Sequence, residues 1–189
     1  AKGDIYYRVN DSKKAVKYTG SVNLRDGGTI SAWAQENDWL VASQTFSRIE
    51  SIPLSVVFAS SQESGEGDAS HLTDGNPSSY WHTMYSVTVA NYPHWVDFDC
   101  GGVKTIKGFT YLPRQDSNNG NIKKYSIQVS NDGKTWGKAV VEGEFENNRK
   151  EKTVLLTTPV KARFVRLTAL SEQSGQDFAT GAEFKVLEK

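Results

Sequence analysis

Apolar and polar residues alternate with a period of two along most of the chain, in short runs bounded by Gly, Asn, Asp and Ser. That period sends one face of each run to a core and the other to water, which predicts β-strands. No apolar stripe of helical period extends past two turns, so the fold is expected to be all-β. Four short candidates come first: Asp4–Val9, Val16–Leu24, Thr29–Gln35 and Leu40–Phe46, with turns at Asn10-Asp11 and Asp26-Gly27-Gly28. From Ser55 the spacing changes and eight candidates follow: Ser55–Ser60, His94–Cys100, Thr105–Leu112, Lys123–Ser130, Lys138–Glu144, Lys152–Leu156, Ala162–Ala169 and Ala182–Leu187. Eight such strands suit a two-sheet antiparallel sandwich or jelly roll. Between the blocks, Ile49–Pro53 reads as a linker with Pro53 as the break. The predicted organisation is residues 1–48 as a small β-sandwich domain, 49–54 as a linker and 55–189 as the larger sandwich. Two stretches, Gln62–Pro93 and Ser171–Gly181, carry little strand signal, and long loops on compact domains commonly carry function.

Composition narrows the function. Lys plus Arg and Asp plus Glu both number 22. A neutral balance lacks the basic footprint of a nucleic-acid binder or a polybasic membrane anchor. No apolar run approaches the length of a membrane span, so membrane insertion is not expected. The chain starts at Ala1 rather than Met and is expected to be a fragment whose targeting signal lies elsewhere. The one cysteine, Cys100, excludes an internal disulfide and a cysteine-based zinc site. Five Trp, eight Tyr and eight Phe make the chain rich in rings, which serve either as core or as stacking faces for sugars.

The second block carries a familiar series of motifs. They are Leu72-Thr73-Asp74-Gly75-Asn76-Pro77-Ser78-Ser79-Tyr80-Trp81-His82-Thr83, Trp95-Val96-Asp97-Phe98-Asp99-Cys100-Gly101, Tyr111-Leu112-Pro113-Arg114-Gln115-Asp116, Tyr125-Ser126-Ile127-Gln128-Val129-Ser130-Asn131-Asp132-Gly133-Lys134-Thr135-Trp136, Ala162-Arg163-Phe164-Val165-Arg166-Leu167, and Ala182-Glu183-Phe184. In this order they resemble the discoidin, or coagulation factor V/VIII C-type, family, and in particular its bacterial members that serve as family 32 carbohydrate-binding modules. Cys100 stands where the family usually has Leu, and the terminal cysteine pair of many animal members is missing. Ile5-Tyr6-Tyr7-Arg8-Val9-Asn10-Asp11, Tyr18-Thr19-Gly20 and Thr29-Ile30-Ser31-Ala32-Trp33-Ala34 resemble the small sandwich domain near the C-terminus of chitobiases and other β-hexosaminidases. The resemblance implies a galactose-binding-like eight-stranded jelly roll behind a small immunoglobulin- or fibronectin-like domain. It also implies that Trp81, Trp95 and Trp136 are core.

Two sites are expected. A calcium ion takes six to eight oxygens. The turn at Gly75 offers the Asp74 and Ser79 side chains, with backbone oxygens of His71, Asn76 and Ser79. Glu183 and Ala182 would close the shell, and the resemblance maps these positions onto a structural calcium site. An ordinary Asp-Gly turn with a surface Glu is the alternative. A hexose needs a ring under its apolar face and planar polar groups for its hydroxyls. The resemblance places His82, Arg114, Asn121 and Phe178 in such a pocket and Tyr85 where an aromatic often sits, with Asn119 and Glu63 in reserve. Taken singly, His82 could be a solvent-exposed loop residue, Arg114 could pair with Asp116, Asn121 could serve a turn and Phe178 could plug the sandwich end.

Asp97 and Asp99 alternate on one strand face, but a strand face has no cleft for glycoside hydrolysis, which needs two carboxylates flanking the scissile bond. The reading is therefore a non-catalytic, monomeric module that binds galactose, N-acetylgalactosamine or N-acetylglucosamine termini. It is expected to be tethered to the catalytic domain of a secreted, periplasmic or surface-bound bacterial glycoside hydrolase of the chitobiase or β-hexosaminidase kind. The alternative is a cell-surface adhesion domain or a structural spacer.

Overall fold

The computed structural model of the chain describes residues 3–22, 24, 27–46 and 50–188. It divides into two compact units, the first running to Glu50 and the second spanning Ser51–Glu188. The described part of the first unit is one antiparallel sheet, in the order β2 (Val16–Lys17), β1 (Ile5–Val9), β3 (Gly28–Ala34), β4 (Asn37–Phe46). Asp26 of the predicted turn and residues 47–49 of the predicted linker lie outside the described residues. Asn10 adopts a left-handed conformation (φ 52°), and its side-chain Oδ1 accepts the Thr29 amide at 2.9 Å, which sets the β1–β3 register.

The second unit is built on strands β5 (Glu50–Ile52), β6 (Ser55–Ala59), β7 (Trp81–His82), β8 (His94–Leu112), β9 (Lys124–Ser130), β10 (Val141–Glu144), β11 (Lys152–Ala169), β12 (Thr180–Gly181) and β13 (Glu183–Glu188), with a short 3-10 helix at Ala69–Thr73. Where the sequence suggests two strands on either side of Gly101-Gly102, β8 runs unbroken through them, with Gly101 at φ 72°. β11 likewise joins two predicted strands, with register shifts between Leu155 and Val160 and between Ala162 and Phe164. These irregularities let each long strand pass from one layer to the other. One layer pairs β6, the first half of β8, the second half of β11, β9 and β10. The other pairs the first half of β11, the second half of β8, β13 and β5. Glu50–Ile52 is thus an edge strand on β13 rather than linker, because Ile52 is drawn into the core at 3% exposure.

Alternation explains the layers. In β8, Val96 and Phe98 point inward and are fully buried, and Val165 and Leu167 do the same in β11. Each contributes roughly 1.5–3 kcal/mol of burial. Phe98 of one layer stacks on Phe184 of the other, ring centroids 4.7 Å apart, so one core joins the layers. The outward partners, Asp97 and Asp99, are each held by a forked arginine pair: Asp97 by Arg166 at 2.6 and 2.8 Å, Asp99 by Arg163 at 3.0 and 2.7 Å. Trp81 is core, at 1% exposure. Trp95 and Trp136 are not: both are half-buried on the outer face, with the Arg166 guanidinium 5.3 and 4.2 Å from their rings.

Candidate functional site

Two tiny strands shape one end of the sandwich. β7 and β12 pair antiparallel, with Thr180 opposite His82. Asn121 bridges Thr180 from the other side, and the Thr180 amide donates to the Gly120 carbonyl at 2.8 Å. Three loops distant in sequence are thereby sewn together. The fit is close enough to require glycine twice. A Cβ on Gly67 would stand 2.7 Å from the His82 Cβ, and one on Gly120 (φ 72°) would stand 2.7 Å from the Thr180 Cγ2.

A cleft of about 280 Å³ opens there, lined by Glu66, His82, Tyr85, Arg114, Asn119 and Phe178. Four of the five residues predicted for a sugar pocket line it. The fifth, Asn121, does not. The left-handed turn at Gly120 sends Asn119 to the cleft and Asn121 beneath the surface, where it is 3% exposed and its side-chain amide has no partner among the described residues. Glu66 is an addition that the sequence does not single out. A charged residue in a loop between Gly65 and Gly67 reads as surface, and only the β7 pairing brings it to the cleft. Glu63, held in reserve, does not line it. Its carboxylate accepts the Tyr85 and Ser86 amides at 2.8 and 3.0 Å and fixes that loop instead.

His82 forms the floor at 3% exposure. Its Nδ1 lies 2.5 Å from the Thr83 carbonyl, which can only accept, so Nδ1 carries the proton. Nε2 is left as an acceptor, 3.5 Å from the Asn119 Nδ2. Burial lowers the His82 pKa below the ordinary histidine value, and the nearby Arg114 charge adds to this. The ring meets Tyr85 edge-on at 4.9 Å and Phe178 at 5.4 Å. Arg114 does pair with Asp116, through Nε at 2.5 Å and Nη2 at 2.9 Å, and its guanidinium lies 3.7 Å over the Tyr80 ring. That clamp leaves Nη1 without a partner among the described residues, so the pairing orients the arginine without exhausting it. Glu66 accepts hydrogen bonds from Tyr85 Oη at 2.6 Å and Tyr80 Oη at 3.1 Å, which lower its pKa. The same bond pushes Tyr85 up to about 12.

Phe178 is positioned from behind. Buried Glu172 accepts the Ser174 and Gln176 amides at 2.9 and 2.6 Å, the Asp177 carbonyl meets His94 Nε2 at 2.9 Å, and the Phe178 carbonyl accepts Tyr92 Oη. The cleft therefore offers aromatic faces beside one imidazole acceptor, guanidinium donors, a carboxamide and a carboxylate. That set can take up the hydroxyls and apolar face of a single sugar ring. A larger cleft of about 620 Å³ lies on the outer face between β6 and the turn at Asp132. There Arg166 is paired with Asp97, and Asp132 accepts the Lys134 and Thr135 amides of its own turn.

The predicted calcium residues gather near the 3-10 helix. Asp74 Oδ2 accepts Ser79 Oγ at 2.6 Å, and Ser79 Oγ is 2.8 Å from the Asn76 carbonyl. The His71 imidazole ties Nδ1 to the Tyr80 carbonyl at 2.9 Å, and the Ala182 amide donates to the Leu112 carbonyl at 2.8 Å; neither bond uses the backbone carbonyl of His71 or Ala182. Partial burial opposes ionisation of Asp74, but the Ser79 hydroxyl and Asn76 amide outweigh it and hold its pKa low. Glu183, 4% exposed, faces Asp74, and burial raises its pKa. Its Oε1 has no partner among the described residues. No three His, Cys, Asp or Glu side chains cluster among those residues, so a cation here would rest on two carboxylates and neutral oxygens. A buried, orphaned carboxylate oxygen beside a hydroxyl, a carbonyl and a second carboxylate fits a hard cation such as Ca²⁺.

The F5/8 type C domain family matches residues 57–184. A sialidase of Micromonospora viridifaciens is 38% identical over 190 residues, which is 98% of this chain and 28% of the sialidase. The chain thus spans about a quarter of the length of the curated relatives it matches. The family 32 CBM of Clostridium perfringens NanJ, solved in complex with galactose, is 32% identical with a TM-score of 0.66, over 74% of this chain and 99% of that one. CpGH89CBM32-5 of Clostridium perfringens, in complex with GalNAc-β-1,3-galactose, is 34% identical with a TM-score of 0.66, over 72% of this chain and 99% of that one.

Proposed function

The chain belongs to the F5/8 type C domain family, and from that premise we propose that its second unit is a non-catalytic carbohydrate-binding module whose end cleft holds one terminal galactose-type or N-acetylhexosamine sugar. The observation that carries this is the meeting of His82, Arg114, Tyr85 and Phe178 in one cleft from three separate loops. The 32% and 34% identical modules solved with galactose and with GalNAc-β-1,3-galactose support it. In this reading Arg114 donates to neighbouring hydroxyls, His82 Nε2 accepts from one, Asn119 serves a third and Phe178 packs on the apolar sugar face. A Ca²⁺ held by Asp74, Glu183, Asn76 and Ser79 would supply charge neutralisation that braces the loops, with no part in contacting the sugar. The parent chain would be a secreted glycoside hydrolase, whose substrate encounters the module favours by raising local concentration.

A second reading, adhesion through an apolar loop tip, has one observation in its favour. Val87 is 83% exposed and Val89 46% exposed on the loop that follows Tyr85. An array of glycans ending in galactose, N-acetylgalactosamine and N-acetylglucosamine, run beside vesicles of neutral and anionic lipid, separates the two. Binding to at least one sugar terminus, with none to vesicles, is expected. Vesicle binding with a silent array overturns the proposal.

A further inference from the structure

Resting on this reading of the cleft, we propose that Glu66 makes it a charge filter, which takes neutral and ammonium-bearing hexoses and turns away carboxylate-bearing ones. Among the lining residues the ionic side chains are Glu66 and Arg114. Their situations differ. The guanidinium is neutralised at close range by Asp116, in a forked pair at 2.5 and 2.9 Å. The Glu66 carboxylate has no cation bonded to it among the described residues; it is held by two tyrosine hydroxyls, Tyr85 Oη at 2.6 Å and Tyr80 Oη at 3.1 Å. Neutral donors hold a carboxylate in place and in its ionised form without cancelling its charge. Arg114 acts on Glu66 only through space, as a lesser influence than the two hydroxyls, and across the Tyr80 ring: the guanidinium lies 3.7 Å over that ring while its hydroxyl reaches Glu66.

The other charges around the cleft do not restore the balance. Glu63 is a second carboxylate held by neutral groups, the Tyr85 and Ser86 amides and the Ser86 hydroxyl. His82 adds no positive charge, because its buried ring carries one proton on Nδ1 and is held below the ordinary histidine value. One step outside the lining, Arg149 binds the Asn118 Oδ1 at 2.9 Å and the Gln115 carbonyl at 2.6 Å, and exposed Asp177 stands next to Phe178, so these two offset one another. The cleft retains an excess of negative charge centred on Glu66. A sugar carboxylate would face repulsion there, and an ammonium group would gain.

The test is a charge series on one ring: galactosamine, galactose and galacturonate titrated calorimetrically into the full chain at low salt. Affinity should fall in that order, by roughly three- to thirtyfold for each unit of charge. High salt should compress the series, since the cleft is open to solvent. Glu66→Gln should compress it further, whatever it does to galactose itself. Asp116→Asn should move it the same way by freeing the Arg114 charge, and it guards against a Glu66 variant that binds nothing. If galactose binds but galacturonate binds equally well, or both variants keep the wild-type ratios, the filter is wrong and the cleft stands. If none of the three sugars binds wild type, the filter falls together with the cleft.

Discussion

His82 combines deep burial with an exposed purpose: it is 3% exposed, yet its Nε2 faces the cleft as an acceptor. Burial lowers its pKa, so as pH falls through the ordinary histidine range near 6.5 the unfolded chain takes up this proton before the folded one. Its stabilising contribution is therefore complete above that range and is lost progressively on acidification, down to the folded-state value. A proton NMR titration should put the His82 midpoint below 6.5, and the melting temperature of His82→Gln should fall less than wild type between pH 7 and 5. A midpoint above 6.5, or parallel melting curves, contradicts this. Most of the cleft was legible at this scale, because His82 and Arg114 sit in recognisable motifs and the family resemblance places Phe178 beside them. Two features were not. Asn119 and Asn121 flank Gly120, and which one faces the cleft depends on that glycine's left-handed turn and the Thr180 bridge. Glu66 looked like one loop carboxylate among several, and nothing short of the fold shows its two tyrosine partners.

Among the elements, most strands lie within a few residues of their predicted bounds, but the predicted Val16–Leu24 shrinks to β2 (Val16–Lys17), and β7, β12 and β5 do not show in the pattern. A two-residue strand has no period to detect, and β5 gains its place only from pairing with β13. These are also the segments that matter for the site, since β7 and β12 carry His82 and Thr180. The Asp74–Ser79 turn is the small element on which the proposed cation site rests. Without a cation, Glu183 is a buried carboxylate with an unpartnered oxygen next to a second carboxylate. Glu183→Gln should therefore raise the melting temperature, or leave it unchanged, in chelator, while abolishing the gain from added Ca²⁺. Wild type should gain about 2.7 kcal/mol at a hundredfold excess of Ca²⁺ over its Kd, which is several degrees for a domain of this size. A wild-type melting temperature indifferent to both Ca²⁺ and chelator contradicts the site.

At the scale of the molecule, every core-cluster residue lies at or beyond Ile52, and none of the residues of β1 to β4 whose side chains are described is fully buried. The second unit holds a complete two-layer core of its own. Residues 51–189 expressed alone should fold cooperatively with the melting temperature of the full chain, and residues 1–50 should give no cooperative transition. A second unit that aggregates, or melts many degrees lower, contradicts this independence. The alternation pattern sufficed to predict such a core, since both layers present one apolar face; where the chain divides depends on β5, which the pattern does not show.

Whether the end cleft holds a sugar is decided by calorimetric titration of galactose and N-acetylgalactosamine into wild type, Arg114→Ala and Phe178→Ala. A single shallow cleft should bind one of them with a Kd of about 0.1 to a few mM. Arg114→Ala should lose roughly 1–3 kcal/mol through unpaired hydroxyls, and Phe178→Ala about 1 kcal/mol or more through lost stacking. Both should keep the wild-type melting temperature, because neither side chain belongs to the core cluster. Saturable binding that both substitutions leave at wild-type strength, or no binding of either sugar to wild type at millimolar concentrations, would show that the end cleft is not the sugar site.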